Sequence, residues 1–360
     1  MLLNKAYLGC LLSLCSPFTS ADQDAAYKSC TVPSFEWATY SSSSTARMHV
    51  RQASVSEKFL YAAGYLKSTI DPSIEGSVLS SSDFTLTGPY SVSDPSGDDA
   101  KTIDIDLVSY PASQGYKENA GGSFGQYEVG VVKINKTTGK PIDIFVYPGH
   151  GYEETTGFVE KNNMLVMSGH FAGNLTTIMQ DGTTKTIWNS NVPEGTLPNL
   201  DDQFHPNNRD ASGHTGVDDG FVIKASAETG KAKWVSHYPQ SNRDSSVVAV
   251  DLDEEGNVYG AGHKCMLLDG AEAKVCEGTI IKFDKDDGTI IWEKVFPDLG
   301  SALRITYDSE DCSVYFTGTT TYGGSTKDTK SHASCDHDTC SVVGRLNCKD
   351  ASVDWIRTIG

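Results

Sequence analysis

Residues 220–239 read GFVIKASAETGKAKWVSHYP, and residues 245–263 read SSVVAVDLDEEGNVYGAGH. The first stretch holds two short apolar strands on either side of a Glu-Thr-Gly-Lys turn. The second holds two more around an Asp-Glu-Glu-Gly-Asn turn, and a polar connector joins the two stretches. Alternating apolar residues between turn-forming residues read as strands. The whole segment is taken as one four-stranded unit.

The unit recurs in register. From Lys224 at zero, Gly230 lies at +6, Trp234 at +10, Tyr238-Pro239 at +14 and +15, and a closing Gly262 at +38. Lys282 gives Gly288, Trp292, Phe296-Pro297 and Gly318 in the same frame, and Lys133 gives Gly139, Tyr147-Pro148 and Gly169, with Asp143 in place of Trp. Arg345 opens a partial copy that reaches Trp355, and Trp37 with Gly64 marks an incomplete copy at the start. Fixed offsets within units and variable spacers between them mark a repeat protein with independently lengthened loops.

No window carries a sustained helical period with caps, so the chain reads as all-β. Four-stranded units joined by short hairpins describe a β-propeller, in which each small sheet is buried only by its neighbours. We expect about five to seven blades, incomplete or irregularly closed. The Trp at +10 is expected to pack between blades. Residues 66–127 form a Ser-, Gly- and Asp-rich spacer whose candidate strands at 84–86 and 103–108 suggest a degenerate unit. Residues 171–188 read as an outer hairpin turned at Asp181-Gly182.

Residues 225–234, ASAETGKAKW, resemble the tryptophan-docking repeat of the pyrroloquinoline quinone dehydrogenase propellers, and 283–292 is a looser copy. Residues 251–262, DLDEEGNVYGAG, look like the strand pair of bacterial secreted β-propeller repeats. The resemblance covers about half the chain after its leader and implies the propeller fold. Quinone dehydrogenases of this kind carry a calcium-bound quinone on the axis, a catalytic Asp and commonly a disulfide between adjacent cysteines. This chain has no Cys-Cys dipeptide, and no cofactor or catalytic base can be placed in it.

Residues 1–21 have the early Lys, apolar run and small-residue end of a secretory signal, leaving 22–360 as a single propeller domain with a long loop at 189–219. The run is too short to span a bilayer. A net charge of −18 excludes a partner bound through phosphate neutralisation, such as nucleic acid. Of nine cysteines, Cys10 and Cys15 fall in the leader, leaving seven. In an oxidising compartment these read as disulfides. Cys265 and Cys276 flank a short hairpin, and Cys335 and Cys340 close a smaller loop. Cys312 and Cys348 sit in turns reached after strands of the same direction, and Cys30 is left over. Asn135 and Asn174 open glycosylation sequons.

The densest acid and His group, His205, Asp210 and His214, is the first place to seek a divalent cation; its plainer reading is a solvated loop. His170 and His263 follow the closing Gly in two units, so they occupy equivalent places able to converge on an axis. Asp251, Asp253, Glu255 and Gly256 begin like a calcium loop, but Gly262 stands where its bidentate Glu belongs, so a hairpin turn is expected. His332, Asp336, His337 and Asp338 read as surface loop. No nucleophile motif is recognisable. The sequence therefore points to a secreted, non-catalytic binding or scaffolding propeller for a protein or carbohydrate, with no cofactor beyond a divalent cation. The alternative is a quinone- or cation-dependent enzyme, an oxidoreductase, lyase or hydrolase with an axial site.

Overall fold

The computed structural model describes residues 40–42, 46–68, 84–93, 101–110, 127–150, 153–190, 218–239, 243–267, 274–320 and 340–359. Among these there is no helix, and the strands build an all-β propeller architecture. In chain order they are β1 (Tyr40–Ser42), β2 (Ala46–Val55), β3 (Phe59–Ser68), β4 (Phe84–Ser93), β5 (Lys101–Tyr110), β6 (Tyr127–Asn135) and β7 (Pro141–Tyr147). Then come β8 (Gly149–His150), β9 (Glu153–Lys161), β10 (Met164–Phe171), β11 (Asn174–Ile178), β12 (Thr184–Trp188), β13 (Asp219–Ser226) and β14 (Ala232–Tyr238). The rest are β15 (Arg243–Leu252), β16 (Val258–Leu267), β17 (Lys274–Phe283), β18 (Ile290–Phe296), β19 (Leu299–Asp308), β20 (Ser313–Thr320), β21 (Ser341–Asn347) and β22 (Val353–Ile359).

Four antiparallel four-stranded sheets follow one another: β2-β3-β6-β7, β9-β10-β13-β14, β15-β16-β17-β18 and β19-β20-β21-β22. Two three-stranded sheets, β1-β4-β5 and β8-β11-β12, accompany them. The candidate strands of the early spacer thus form a side sheet, and β11 pairs with β12 as the outer hairpin.

The sheet boundary differs from the unit read in the sequence. Residues 220–263 supply the last two strands of the second sheet and the first two of the third, divided at the polar connector 239–242. The offsets survive, but each unit straddles two sheets. At the ends of the chain, β2-β3 and β21-β22 are each half of a complete sheet, and Trp37 lies outside the described residues.

The core consists of seams between successive sheets. Within β17, Ile281 joins the cluster between the second and third sheets while Ile280 joins the one between the third and fourth. Likewise Phe221 faces the first sheet's cluster and Val222 the third's. Because side chains alternate across a strand, a strand buried on both faces reads as a continuous apolar run.

The marker residues meet at these seams. Lys224 Nζ and Trp234 Nε1 both donate to the carbonyl of Lys285 in the next sheet, at 3.2 and 3.1 Å. Lys282 Nζ and Trp292 Nε1 both donate to that of Cys348, at 3.4 and 3.3 Å. Lys133 Nζ donates to that of Ala227 at 2.9 Å. Each acceptor lies three residues beyond the basic residue of its own sheet, Lys224, Lys282 or Arg345. The Gly at +6 supplies the turn: Gly139, Gly230 and Gly288 have φ of 70°, 69° and 75°. The preceding sheet's aromatic also packs on it, so a Cβ on Gly288 would strike Trp234 and one on Gly230 would strike Phe145. In the fourth sheet Ala351 holds this place with φ 57°.

The closing Gly has a different cause. In each first strand one residue is bulged out of register opposite it: Arg51, Thr156, Val248 and Leu303. The bulge drives a carbonyl toward the neighbouring strand, where a Cβ on Gly169, Gly262 or Gly318 would collide with Glu154 O, Ser246 O or Ser301 O.

Disulfides join Cys265 to Cys276, which are register partners in β16 and β17, and Cys312 to Cys348. Cys340 is disulfide-bonded, and Cys335 and Cys30 lie outside the described residues.

Gly262→Ala is expected to cost about 3 kcal/mol, the upper range for overpacking, because its obstacle is backbone. Ala351→Gly is expected to stabilise by about 0.5–1 kcal/mol, since relief of the left-handed strain exceeds the added chain entropy. Denaturation midpoints at unchanged m-value check both.

Candidate functional site

The two ends of the sheets differ. At one end the strands are joined by short turns, 56–58, 162–163, 253–257 and 309–312 between first and second strands, and 136–140, 227–231, 284–289 and 348–352 between third and fourth. The opposite end carries the connections 69–126, 172–218, 268–273 and 321–340 between second and third strands. Long connections on a rigid scaffold are where binding groups concentrate.

At this second end, between the first and second sheets, sits a buried carboxylate pair. Glu128 lies at the start of β6 and Glu153 opens β9, and both are fully buried. Gly149 lies between them. Its N–H donates to Glu128 Oε2 at 2.7 Å, and a Cβ on it would lie 2.6 Å from Glu153 Cδ. Glu128 Oε1 and both carboxylate oxygens of Glu153 have no hydrogen-bond partner. The hydroxyl of Thr155, two residues along the same face of β9, is likewise buried and unbonded.

The electrostatics follow from this placement. Burial pushes the carboxyl of Glu153 well above its ordinary value near 4.5, and the charges of Glu128 and Asp218 push it further. Burial raises Glu128 in the same way, against the lowering effect of the Gly149 N–H. Glu154, next to Glu153 in the chain, pairs instead with Arg51. Asp218 lies 3.9 Å from His170 Nε2. Asp219 accepts from the backbone and hydroxyl of Ser190 and lies 2.7 Å from His237 Nε2, which ties the start of segment 191–217 to this end.

The sequence candidates fall as follows. His205, Asp210 and His214 lie outside the described residues. His170 and His263 occupy equivalent places one sheet apart, and each meets a serine of the next sheet: His170 Nδ1 with Ser246 at 3.5 Å, His263 Nδ1 with Ser301 at 3.1 Å. Ligand atoms of Asp244, His263 and Cys265 converge within 4.8 Å, but the Cys265 sulfur is bonded to Cys276. Asp253 is engaged in its own hairpin by Asn257 and Tyr259. Asn135 sits at an exposed turn whose amides its Oδ1 accepts, whereas Asn174 is buried. Sequence reading missed Glu128 and Glu153. The only available signal was their position at strand starts, Glu128 five residues before Lys133.

A cavity of about 470 Å³ opens between the first strands of the four sheets, lined among others by Gln52, Phe158, Val250 and Arg304. Its one lining carboxylate, Asp251, accepts from the backbone amides of Leu252 and Tyr307. That donor set does not fit a calcium-bound quinone.

No protein-family model matches the sequence, and neither does any curated protein. Similar solved structures include Kuenenia stuttgartiensis hydrazine synthase, at 9% identity and TM-score 0.33, covering 72% of this chain and 60% of that one. Quinohemoprotein alcohol dehydrogenase from Comamonas testosteroni follows at 8% identity and TM-score 0.31, covering 73% and 43%. The Dos1 propeller has 11% identity and TM-score 0.27, covering 89% and 86%. Likeness of this degree carries no argument about activity.

With chelator present, stability is expected to fall as pH rises above about 4.5, because folded Glu128 and Glu153 hold protons that the unfolded chain releases. Glu153→Gln should flatten this slope and raise Tm at neutral pH. Thermal unfolding from pH 4.5 to 8 checks the sign, and a wild-type Tm rising across that window would contradict it.

Proposed function

We infer that this chain is a secreted, non-catalytic binding propeller that offers the long-connection end of its sheets to a protein or carbohydrate partner. The observation that carries the reading is the asymmetry of the connections. One end is built from short turns closed by their own side chains, as at Asp253 and Asn135. The other is where the segments 191–217 and 321–339 leave the sheets, while the extra hairpin β11-β12 runs along β14. Such a division suits a rigid base with a variable recognition rim. The lining of the inter-sheet cavity supports binding over axial catalysis, because its carboxylate is already held by two amides.

Export is supported by the leader-like 1–21 and by two disulfides. Among the described residues no helix is long and apolar enough to cross a membrane.

Replacing 191–217 with a short Gly-Ser linker is expected to abolish saturable binding on an oligosaccharide or secreted-protein array while leaving the unfolding transition in place. Binding that survives this and a like replacement of 321–339 would overturn the reading. So would turnover of alcohols with an electron-accepting dye after quinone and calcium are added.

A further inference from the structure

Two fully buried carboxyl groups, Glu128 and Glu153, flank Gly149 at the seam between the first two sheets, with three of their four oxygens unbonded. Thr155 Oγ1, two residues along the same face of β9 from Glu153, is likewise buried and unbonded. An orphaned buried polar atom costs roughly 1–3 kcal/mol, and an orphaned charge costs more. Three unbonded carboxylate oxygens about one glycine are what a missing ligand leaves behind.

The chemistry of the deficit identifies the ligand's class. The orphaned atoms of Glu128, Glu153 and Thr155 are all oxygens, and two of the groups carry or release negative charge. All-oxygen donor sets suit hard cations; calcium, which accepts irregular geometry and bidentate carboxylates, suits them better than octahedral magnesium. No ion pair among the described residues reaches either glutamate, and Arg51 pairs with Glu154, the residue next to Glu153 in the chain.

We propose that Glu128 and Glu153, with the Thr155 hydroxyl beside them, bind one calcium-class divalent cation that clamps the first sheet to the second. The site joins β6 of one sheet to β9 of the next through side chains alone, at the end opposite the lysine and tryptophan contacts. It is buried beneath the same end as the proposed recognition rim but uses none of the segments 191–217 and 321–339, so each reading can fail without the other.

The test uses the full secreted chain, stripped with chelator and titrated calorimetrically with calcium chloride and magnesium chloride at matched ionic strength. Calcium is expected to bind one to one at this site and to raise Tm by about 5 °C at saturation. Glu153→Gln should abolish binding and the Tm rise together, and Glu128→Gln should weaken binding at least tenfold. Glu154→Gln, next along the chain but held by Arg51, should leave affinity within about twofold. Glu153→Gln keeps the side chain's shape and is neutral at the buried position, so it should fold. The proposal is overturned if millimolar calcium and magnesium leave the wild-type Tm unchanged, or if Glu153→Gln retains the same shift.

Discussion

The architecture depends on a single peptide carbonyl shared across each seam. In the third sheet it belongs to Lys285, in the fourth to Cys348, in the second to Ala227, always three residues past the basic residue of its own sheet. A carbonyl has two lone pairs, and at the later two seams one is met by an ammonium and the other by an indole N–H. Burying Lys224 and Lys133 is tolerable only because these acceptors replace water. The turn that presents the carbonyl holds a left-handed residue, and an aromatic of the preceding sheet covers it at two seams, Phe145 on Gly230 and Trp234 on Gly288. Lys, Gly and Trp are therefore one device read at three offsets.

That device was legible in the sequence because its parts are rare residue types at fixed spacing within one β-hairpin. The hairpin 219–238 and its neighbours lie where the Lys, Gly and Trp offsets place them. The sheet boundary was not legible. Third strands pair with second strands across connections as long as 69–126, and no local pattern distinguishes that pairing from one across the shorter 239–242. The closing Gly was visible as a marker but its cause was hidden, because a bulge at Val248 depends on the partner strand rather than on the bulged residue. The carboxylate pair was hidden for the same reason. Glu128 alternates with apolar residues in β6 as an exposed residue would, and only the arrival of β9 and Gly149 buries it.

Equivalent positions carry different chemistry from sheet to sheet. Five residues before the basic marker stand Glu128, Asp219, Glu277 and Cys340. In the first sheet this place forms half of the carboxylate pair, in the second it anchors Ser190, and in the fourth it is disulfide-bonded. A fixed backbone frame has thus been held constant by the shared carbonyl while this end varied freely. That division is why fold was easier to read than ligand.

The Cys312–Cys348 disulfide fastens the acceptor of the last seam described. Cys348 presents its carbonyl to Lys282 and Trp292, and its sulfur is tied back to the opposite hairpin of the same sheet. In the second and third sheets the acceptor turn sits in a sheet whose own Lys and Trp are gripped by a neighbour beyond. In the fourth, Arg345 turns inward to Asp311, Ser313 and Asp354 instead. Among the described residues, the covalent bond there supplies the stiffness that at the second and third sheets comes from the next leaf. Under reducing conditions the assembly would accordingly fray from this leaf first.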